Sequence, residues 1–313
     1  MSNAFLTVAI PAYRRHEALK SVLTSIDLGP VKSEQVHFVV LNDSGREEDN
    51  RLYRDTIEEV RKTTSLSLEY LENTSNSGYP AAFIKLLRAC NSPYVMFSAD
   101  DDFIDFTHAE KLFEFLKNEK PDICSTQFWR NSRLFRGAYR MRPAQPKEFS
   151  TFNGHAPGVV YRTQAMMPFV EKIATQIQKE QTIALIYPQV LFTIEVFANG
   201  GNCWFFPLSF VRDGYQFQSQ IVDQAGSHYS QFLSRTKQVT AFEEYITGLP
   251  PSDAQAEMQT SARIHSVRAC IYADPNITRV IRKEFGLNPK KYFLRLVPNG
   301  LKFRIKKALR FLP

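Results

Sequence analysis

The 313-residue sequence predicts an α/β protein with a mostly parallel sheet and a helical C-terminal region. In the first 126 residues, short apolar runs alternate with segments whose apolar residues recur every three or four positions. These runs start about 30 residues apart, which is the length of one strand–helix unit of a parallel sheet. The composition, 43% hydrophobic and 23% charged, is typical of a soluble globular protein and excludes disordered, collagen-like and disulfide-scaffold classes.

Five strands and four intervening helices are predicted in this first part. The predicted strands are Leu6–Ile10, Val36–Leu41, Leu66–Leu71, Tyr94–Ser98 and Asp122–Thr126. The helices carry the apolar stripes Leu19–Ile26, Leu52–Val60, Phe83–Cys90 and Leu112–Leu116. Beyond them we expect an ordered loop or hairpin over 127–150, a helix near Pro188–Ala198, a strand near Trp204–Val211, and mostly helix after Gly226.

Cysteine usage and the N-terminal segment bear on the compartment. The four cysteines include no C-x-x-C pair, so we expect neither a zinc site nor a disulfide framework, and a reducing compartment fits. The apolar stretch before Pro11 is too short for a signal peptide. We therefore expect a cytoplasmic protein, attached at most to the inner face of the cytoplasmic membrane.

The positive charge is concentrated at the C-terminal end. The net charge is +7, but residues 279–313 hold eleven Lys/Arg and one acidic residue, which leaves −3 for residues 1–278. In 301–312, apolar and basic residues fall on separate helical stripes, a pattern typical of helices that bind an anionic membrane surface. The alternative is a helix packed on the protein with its lysines solvated. Nucleic-acid binding through this tail is not supported by any recognition motif.

Polar residues follow four successive predicted strands, whereas the strand interiors are almost wholly apolar. The segments after the strands are Pro11–Arg15, Asn42–Gly45, Glu72–Tyr79 and Ser98–Asp102. In open α/β sheets, ligands bind beyond the carboxyl ends of the strands, where loops converge and helix N-termini point inward. The sequence therefore predicts a ligand site at this edge of the sheet.

Three adjacent aspartates, Asp100, Asp101 and Asp102, follow the fourth strand. Adjacent carboxylates repel one another, so placing them beside a buried strand is costly unless a cation neutralises them. Carboxylate oxygens suit Mn²⁺ or Mg²⁺, which also binds the phosphates of a substrate. The alternative is a solvated acidic turn before a helix that begins near Thr107. Together with the other strand ends, the cluster favours the metal.

Four segments resemble, in order and spacing, the nucleotide-sugar-binding half of family 2 glycosyltransferases with the GT-A fold: TVAIPAYRR (7–15), VVLNDSG (39–45), NSGYPAA (76–82) and YVMFSADDDF (94–103). The resemblance is strong over residues 1–126 and loose to Val211. It implies a Rossmann-like, mostly parallel sheet flanked by helices. We expect a GT-A domain over 1–225, with a nucleotide-sugar-binding half (1–126) and an acceptor-side half (127–225), and a helical basic region over 226–313.

The function implied by this resemblance is metal-dependent, inverting transfer of a sugar from a nucleoside-diphosphate sugar to an acceptor hydroxyl. The acceptor would be a saccharide or lipid-linked saccharide, in bacterial surface polysaccharide or glycolipid synthesis. The implied nucleotide-sugar contacts are Pro11, Tyr13, Arg15, Asp43, Asn76, Gly78, Asp100, Asp101 and Arg212. Asp43 would bind the base and Arg212 the phosphate. Asp102 and Asp100 are the implied ligands of Mn²⁺ or Mg²⁺.

The general base is the point at which the sequence departs from the family. Relatives commonly place a Glu-Asp pair at the start of a helix where this chain has Pro188-Gln189. A base is needed to deprotonate the acceptor hydroxyl, and the candidates are Glu180, Glu195 and Asp213, the last being equally a metal neighbour. The missing pair leaves open a catalytically silent sugar-nucleotide-binding relative.

Two features of the second half keep alternatives open. The arginine-rich loop 130–142 either holds a diphosphate or an anionic acceptor, or is a solvated hairpin. His155, in a Gly/Pro loop, is either an acceptor-side residue or a structural one.

Overall fold

The computed structural model describes residues 4–130, 133–214 and 232–273. Its strands are β1 (Leu6–Ala12), β2 (Val36–Asn42), β3 (Ser67–Glu72), β4 (Tyr94–Phe97), β5 (Phe103–Ile104), β6 (Ile123–Arg130), β7 (Arg133–Arg136), β8 (Arg142–Pro143), β9 (Val159–Arg162) and β10 (Cys203–Arg212). They form one sheet in the order β3-β2-β1-β4-β9-β6-β10-β5, with β7 paired to β6 and β8 to β10.

Ten α-helices lie in the described part of the chain. They are α1 (His16–Thr24), α2 (Glu47–Thr63), α3 (Gly78–Ala89), α4 (Ala109–Glu119), α5 (Phe149–Phe152), α6 (Thr163–Gln178), α7 (Thr182–Ile186), α8 (Pro188–Ala198), α9 (Phe232–Thr247) and α10 (Asp253–Ala273). Short 3₁₀ turns cover Ser33–Gln35 and Pro146–Glu148.

The strands β1 to β4 are mutually parallel, as the strand–helix rhythm predicts. β1 pairs with β2 on one side and with β4 on the other, and β2 pairs with β3. The register places Ala12 beside Asn42 and Asn42 beside Glu72. The loops that follow these strands therefore start at one edge of the sheet. The mostly parallel α/β architecture is confirmed.

Helices cover both faces of this sheet, which explains why the strands are apolar on both sides. One hydrophobic cluster joins Val8 and Ile10 of β1 to the apolar stripes of α1, α2 and α4. On α3, Phe83 stacks on Phe97 of β4, with ring centroids 3.9 Å apart, and contacts Phe192 of α8 at 6.0 Å.

The second half of the sheet differs from the prediction. The short strand β9 lies antiparallel between β4 and β6, while β6 and β10 are parallel again. The two-residue strand β5 pairs antiparallel with the end of β10, so that Ile104 lies opposite Val211. Three of these elements were not predicted from the sequence: β5, β9 and α6, which has Pro168 inside it. Through β5, the end of β10 lies beside the residues that follow β4.

The described residues form two compact units. The first comprises 4–130, 133–214 and 249–258, and the second comprises 232–248 and 259–273. Within the second, Arg263 Nε lies 2.7 Å from Glu243 Oε1 and Gln259 Nε2 donates to Thr247 Oγ1 at 3.2 Å. The predicted boundary at 225 and the basic helix over 301–312 lie outside the described residues. None of the described helices has the length and apolar character needed to cross a membrane.

Candidate active site

The three aspartates after β4 are buried, not solvated. Asp100 is 0% exposed, Asp101 7% and Asp102 5%. The chain reaches them from the fully buried strand β4, whose end is fixed by Ser98 N donating to Ala9 O at 3.1 Å. Because isolated carboxylates are costly to bury, partners must stabilise this cluster.

Arg15, after β1, is the partner of two of the carboxylates. Its guanidinium forms short ion pairs with Asp100 Oδ1 and Asp101 Oδ2. Tyr13 N donates to the second oxygen of Asp100, Oδ2, at 3.0 Å. Arg15 N donates to the Tyr53 hydroxyl at 2.9 Å. The loop after β1 is therefore bound to the loop after β4, and both oxygens of Asp100 are used.

Asp102 is the carboxylate that Arg15 does not reach. Its Oδ1 accepts a hydrogen bond from Gly214 N at 3.2 Å, and it forms no ion pair with any described residue. Burial, and then the neighbouring Asp101 carboxylate, raise the pKa of Asp102 to about 7. Burial raises the pKa of Asp100 to about 6 although Arg15 opposes the rise. Among the described residues, Asp102 is the carboxylate of the three that no cation pairs with directly, although the charge of Arg136 interacts with it without an ion pair.

The end of β10 lies directly against this cluster. A Cβ built on Gly214 would lie 1.4 Å from the backbone oxygen of Asp101, so only glycine fits there. Asp213 forms an ion pair with Arg130, Nε to Oδ2, at 3.1 Å, and its charge contributes to raising the pKa of Asp101 and Asp102. Arg212 is exposed and lies 3.6 Å from Asp105.

Asp43, after β2, is held by the loop after β3. Its Oδ1 accepts from Ser77 N (2.9 Å), Ser77 Oγ (2.7 Å) and Asn73 Nδ2 (2.5 Å). Asp43 is buried, and within the described residues no hydrogen bond uses its Oδ2. A buried carboxylate fixed through one oxygen presents the other as an acceptor for a ligand N–H.

The other predicted nucleotide contacts lie in the same group of loops. Pro11 is half-buried in β1, in register with Leu41. Tyr13 is half-buried beneath the Arg14 guanidinium, whose central carbon lies 5.1 Å from the ring centroid. Asn76 Oδ1 accepts from Gly78 N at 2.9 Å, and Gly78 adopts φ +78°, so this pair forms the turn that precedes α3.

The three base candidates lie in different environments. Glu180 is exposed just after α6, at φ +53°. Glu195 is buried in α8 and pairs with Lys172 Nζ of α6 at 2.6 Å. Asp213 is the candidate that lies beside the aspartate cluster. Gln189, at the start of α8, is buried, and its Oε1 forms no hydrogen bond within the described residues.

A buried arginine organises the acceptor-side half. Arg136 of β7 donates to the carbonyls of Thr126, His155 and Pro157, and burial lowers its pKa to about 10. Burial, and then the charge of Arg136, lower the pKa of His155 to about 3, so His155 is neutral. Its ring lies 4.2 Å from that of Phe128.

Several residues of the site were not predicted individually from the sequence. They are Tyr53, Asn73, Ser77, Arg130 and Arg136, the last two of which were expected only as members of an arginine-rich loop. The spacing of that loop distinguishes neither the buried Arg136 nor the paired Arg130. For Asn73 and Ser77, the position after a strand was the available signal.

In the described part of the chain, no three His, Cys, Asp or Glu side chains are grouped closely enough to form a metal site by themselves. The donor chemistry nevertheless suits a hard divalent cation, because Asp102 is a buried carboxylate that forms no ion pair with any described residue and Asp213 lies nearby. Such a cation usually completes its coordination with water and substrate phosphates.

Comparison with known proteins bears on the family and the fold of the chain. The sequence profile of the family described as Glycosyl transferase family 2 matches residues 7–177, more than half of the chain. No curated protein sequence matches the chain significantly.

Solved structures with similar folds include residues 1–349 of S. aureus TarS (TM-score 0.61, 13% identity, 94% of this chain and 81% of that one). The same TarS fragment in complex with UDP has a TM-score of 0.59 and 14% identity, with the same coverage. The mannosyltransferase PcManGT from Pyrobaculum calidifontis, in complex with GDP-Man and Mn²⁺, has a TM-score of 0.56 and 12% identity over 97% of this chain and 80% of that one. These likenesses confirm the GT-A fold.

Proposed function

The chain belongs to glycosyl transferase family 2, and on that premise we propose that it transfers a sugar from a nucleoside-diphosphate sugar to an acceptor hydroxyl with the help of a divalent cation. The observation that carries this proposal is the buried carboxylate of Asp102, which has no cationic partner among the described residues and lies where the loops after β1, β4 and β10 meet.

Asp102 is the proposed ligand of Mn²⁺ or Mg²⁺. A bound divalent cation would neutralise the charge that develops on the leaving diphosphate. The Mn²⁺ complex of the mannosyltransferase PcManGT supports this choice of cofactor. The second implied ligand, Asp100, stays a prediction: both of its oxygens are bound to Arg15 and Tyr13, so ligation would require one of these contacts to open.

The nucleotide is proposed to lie along the loops after β1, β2 and β3. Asp43, fixed through Oδ1, presents Oδ2 to an N–H of the base. Pro11 and Tyr13 would flank the base and ribose, and the turn at Asn76 and Gly78 would let the backbone approach the nucleotide. The UDP complex of TarS and the GDP-Man complex of PcManGT support a nucleoside-diphosphate sugar as the donor class.

Arg15 is proposed as a positioning residue for the cluster. The resemblance implied that the Arg15 guanidinium contacts the nucleotide sugar. In the structure, its positive charge is paired with Asp100 and Asp101. In this role Arg15 keeps the two carboxylates in place and leaves Asp102 to face the donor. Arg212, which is largely exposed, is the proposed phosphate contact.

Asp213 is the proposed general base among the three candidates. Glu195 is buried in an ion pair with Lys172, and Glu180 is an exposed residue after α6. Asp213 is also in an ion pair, with Arg130, but it adjoins the cluster, where a positioned carboxylate could accept the proton of an acceptor hydroxyl. The acceptor oxygen would then bond to the anomeric carbon from the face opposite the leaving diphosphate, and this would invert the anomeric centre.

The biological setting is also a proposal. A cytoplasmic enzyme at the inner face of the membrane, building a surface polysaccharide or glycolipid on a saccharide or lipid-linked acceptor, fits the basic amphipathic sequence of residues 301–312.

A second candidate function is sugar-nucleotide binding without turnover. It is favoured by Gln189, which stands where the resemblance places an acidic pair and which is buried with its Oε1 unbonded in the described structure. A neutral amide there cannot accept a proton from the acceptor.

A thermal-shift panel of UDP-, dTDP-, GDP- and CDP-sugars, with and without Mn²⁺, tests the proposal. A donor present at about 100 times its Kd should stabilise the fold by about 2.7 kcal/mol. Asp102→Ala should remove the Mn²⁺-dependent part, whereas Asp55→Ala, which changes an exposed aspartate of α2, should keep it. If no nucleotide sugar stabilises the protein, the proposal of a donor site is wrong. Donor binding without transfer to any acceptor would instead support the silent relative.

A further inference from the structure

Large apolar side chains are exposed together in one short segment. Six large hydrophobic side chains of the described residues are exposed, and three of them lie within 135–141. Phe135 is 58% exposed, Tyr139 74% and Met141 52%. Large apolar side chains exposed close together at a protein surface mark a contact with a partner, a ligand or a membrane.

The same segment is strongly basic. Residues 127–147 contain five arginines, one lysine and no acidic residue. Arg136 is buried, Arg130 pairs with Asp213, and Arg142 pairs with Glu148. Arg133 and Arg140 are exposed and form no ion pair with any described residue. Their charge is therefore available at the surface beside the apolar side chains.

An ordered backbone holds these side chains in solvent. β7 pairs antiparallel with β6, with Leu134 opposite Trp129, and β8 pairs with β10. Between them, Gly137 adopts φ +115°, and a Cβ there would lie 2.9 Å from Gln127 Cα. The buried Arg136 guanidinium fixes the strand from inside. Phe135 is thus exposed on the β6–β7 hairpin, and Tyr139 and Met141 are exposed in the segment that joins β7 to β8.

We propose that the hairpin patch, formed by Arg133, Phe135, Tyr139, Arg140 and Met141, docks on the surface of an anionic lipid bilayer. Aromatic and aliphatic side chains lie at the boundary between headgroups and acyl chains, while cations bind anionic headgroups. Phe135 and Met141 have no strong hydrogen-bonding group, which favours hydrocarbon over a polar polymer. The absence of acidic residues in 127–147 complements a negative surface. This contact involves residues other than 301–312 and does not depend on sugar transfer.

Co-sedimentation of the full chain with phosphatidylcholine vesicles, with and without phosphatidylglycerol, tests the docking. We expect binding that requires phosphatidylglycerol. Arg133→Glu combined with Arg140→Glu should lower the partition coefficient by about 30-fold or more, since each basic residue near the surface contributes roughly five-fold. Arg133→Lys combined with Arg140→Lys keeps the charge and should bind.

A second set of variants tests the apolar part. The triple change Phe135→Ser, Tyr139→Ser and Met141→Ser should weaken vesicle binding by about ten-fold or more. The matched control is Met167→Ser with Leu185→Ser, two side chains that are also exposed but lie outside the hairpin patch. This control should bind vesicles as the unchanged protein does.

Three results would overturn the proposal. The first is vesicle binding that survives both hairpin variants. The second is binding lost only in a tail variant, Lys302→Glu with Lys306→Glu and Arg310→Glu. The third is binding to dextran sulfate, but not to vesicles, with the same dependence on the hairpin patch, which would indicate a polyanionic polymer as the partner. A hairpin variant that loses vesicles but keeps the donor-induced thermal shift separates this inference from the proposed function.

Discussion

Replacing Gly214 by alanine tests the contact between the end of β10 and the aspartate cluster. The added Cβ would lie 1.4 Å from Asp101 O, 2.7 Å from Asp101 C and 3.4 Å from Asp102 N. Real Cβ atoms do not approach backbone atoms closer than 3.0 Å, so the strand end or the aspartate loop must move by about 1.6 Å. That movement would break the bond from Gly214 N to Asp102 Oδ1, which is already 3.2 Å long.

The cost has two parts. Overpacking of this kind costs about 1–3 kcal/mol, and a lost hydrogen bond to a charged group costs about 1.5–3 kcal/mol. We therefore expect the free energy of unfolding to fall by about 3 kcal/mol or more, with Tm lower by roughly 6–12 °C. If the aspartate loop moves and the fold keeps its stability, Asp102 is displaced, and Mn²⁺ and the nucleotide sugar should stabilise the protein less.

Thermal unfolding with and without Mn²⁺ and donor measures both the loss of stability and the loss of stabilisation by ligand. Gly248→Ala is the matched control, because a Cβ there would meet its nearest atom at an ordinary 3.4 Å. It should behave like the unchanged protein. A Gly214→Ala protein with unchanged Tm and unchanged Mn²⁺-dependent stabilisation would refute the reasoning, since the strand end would then not lie against the cluster.

Three further predictions concern single side chains. Arg15→Lys loses the fork that binds two carboxylates and should weaken donor binding, measured by calorimetry, by about ten-fold; Arg14→Lys, its neighbour, is the control, and equal effects would contradict the positioning role. Asp213→Asn should lower the transfer rate about 10²- to 10⁴-fold while donor binding persists, whereas Glu180→Gln should leave transfer unchanged; retained transfer in Asp213→Asn excludes it as the base. Burial and Arg136 lower the pKa of His155 to about 3 in the folded protein, so on acidification the unfolded chain binds this proton first. The free energy of unfolding should therefore fall by up to about 1.4 kcal/mol per pH unit below about pH 6.5. His155→Gln should remove this part of the pH dependence in denaturant titrations, and an unchanged pH dependence would show that His155 titrates normally.

The sequence predicted the first half of the fold because its signals are local. The apolar run of β1, the turn residues after β2 and the aspartates after β4 each lie within a few residues, and the parallel register follows from the strand–helix rhythm. β9 escaped prediction because it is a four-residue strand inserted antiparallel between β4 and β6. Its position depends on pairing with distant strands, which no local pattern reveals.

In the candidate site too, local features were predictable and contacts between distant residues were not. The residue types after each strand were predictable, but their partners were not. The pairing of Arg15 with Asp100 joins residues 85 positions apart, and spacing alone left Arg15 as a nucleotide contact. Likewise, the three base candidates looked equivalent along the chain. Their different surroundings, an ion pair with Lys172 of α6 for Glu195 and the aspartate cluster for Asp213, arise only when distant elements pack together.

The ion pairs of Arg15 bear on the entropy of donor binding. They hold the loop after β1 and the loop after β4 together before any ligand arrives. Ordering a flexible side chain at an interface costs about 0.5–1.5 kcal/mol, and here Arg15, Asp100 and Asp101 are already ordered. A donor that meets this preorganised pair of loops loses less conformational freedom on binding, so its affinity should depend more on its own contacts than on reshaping the protein.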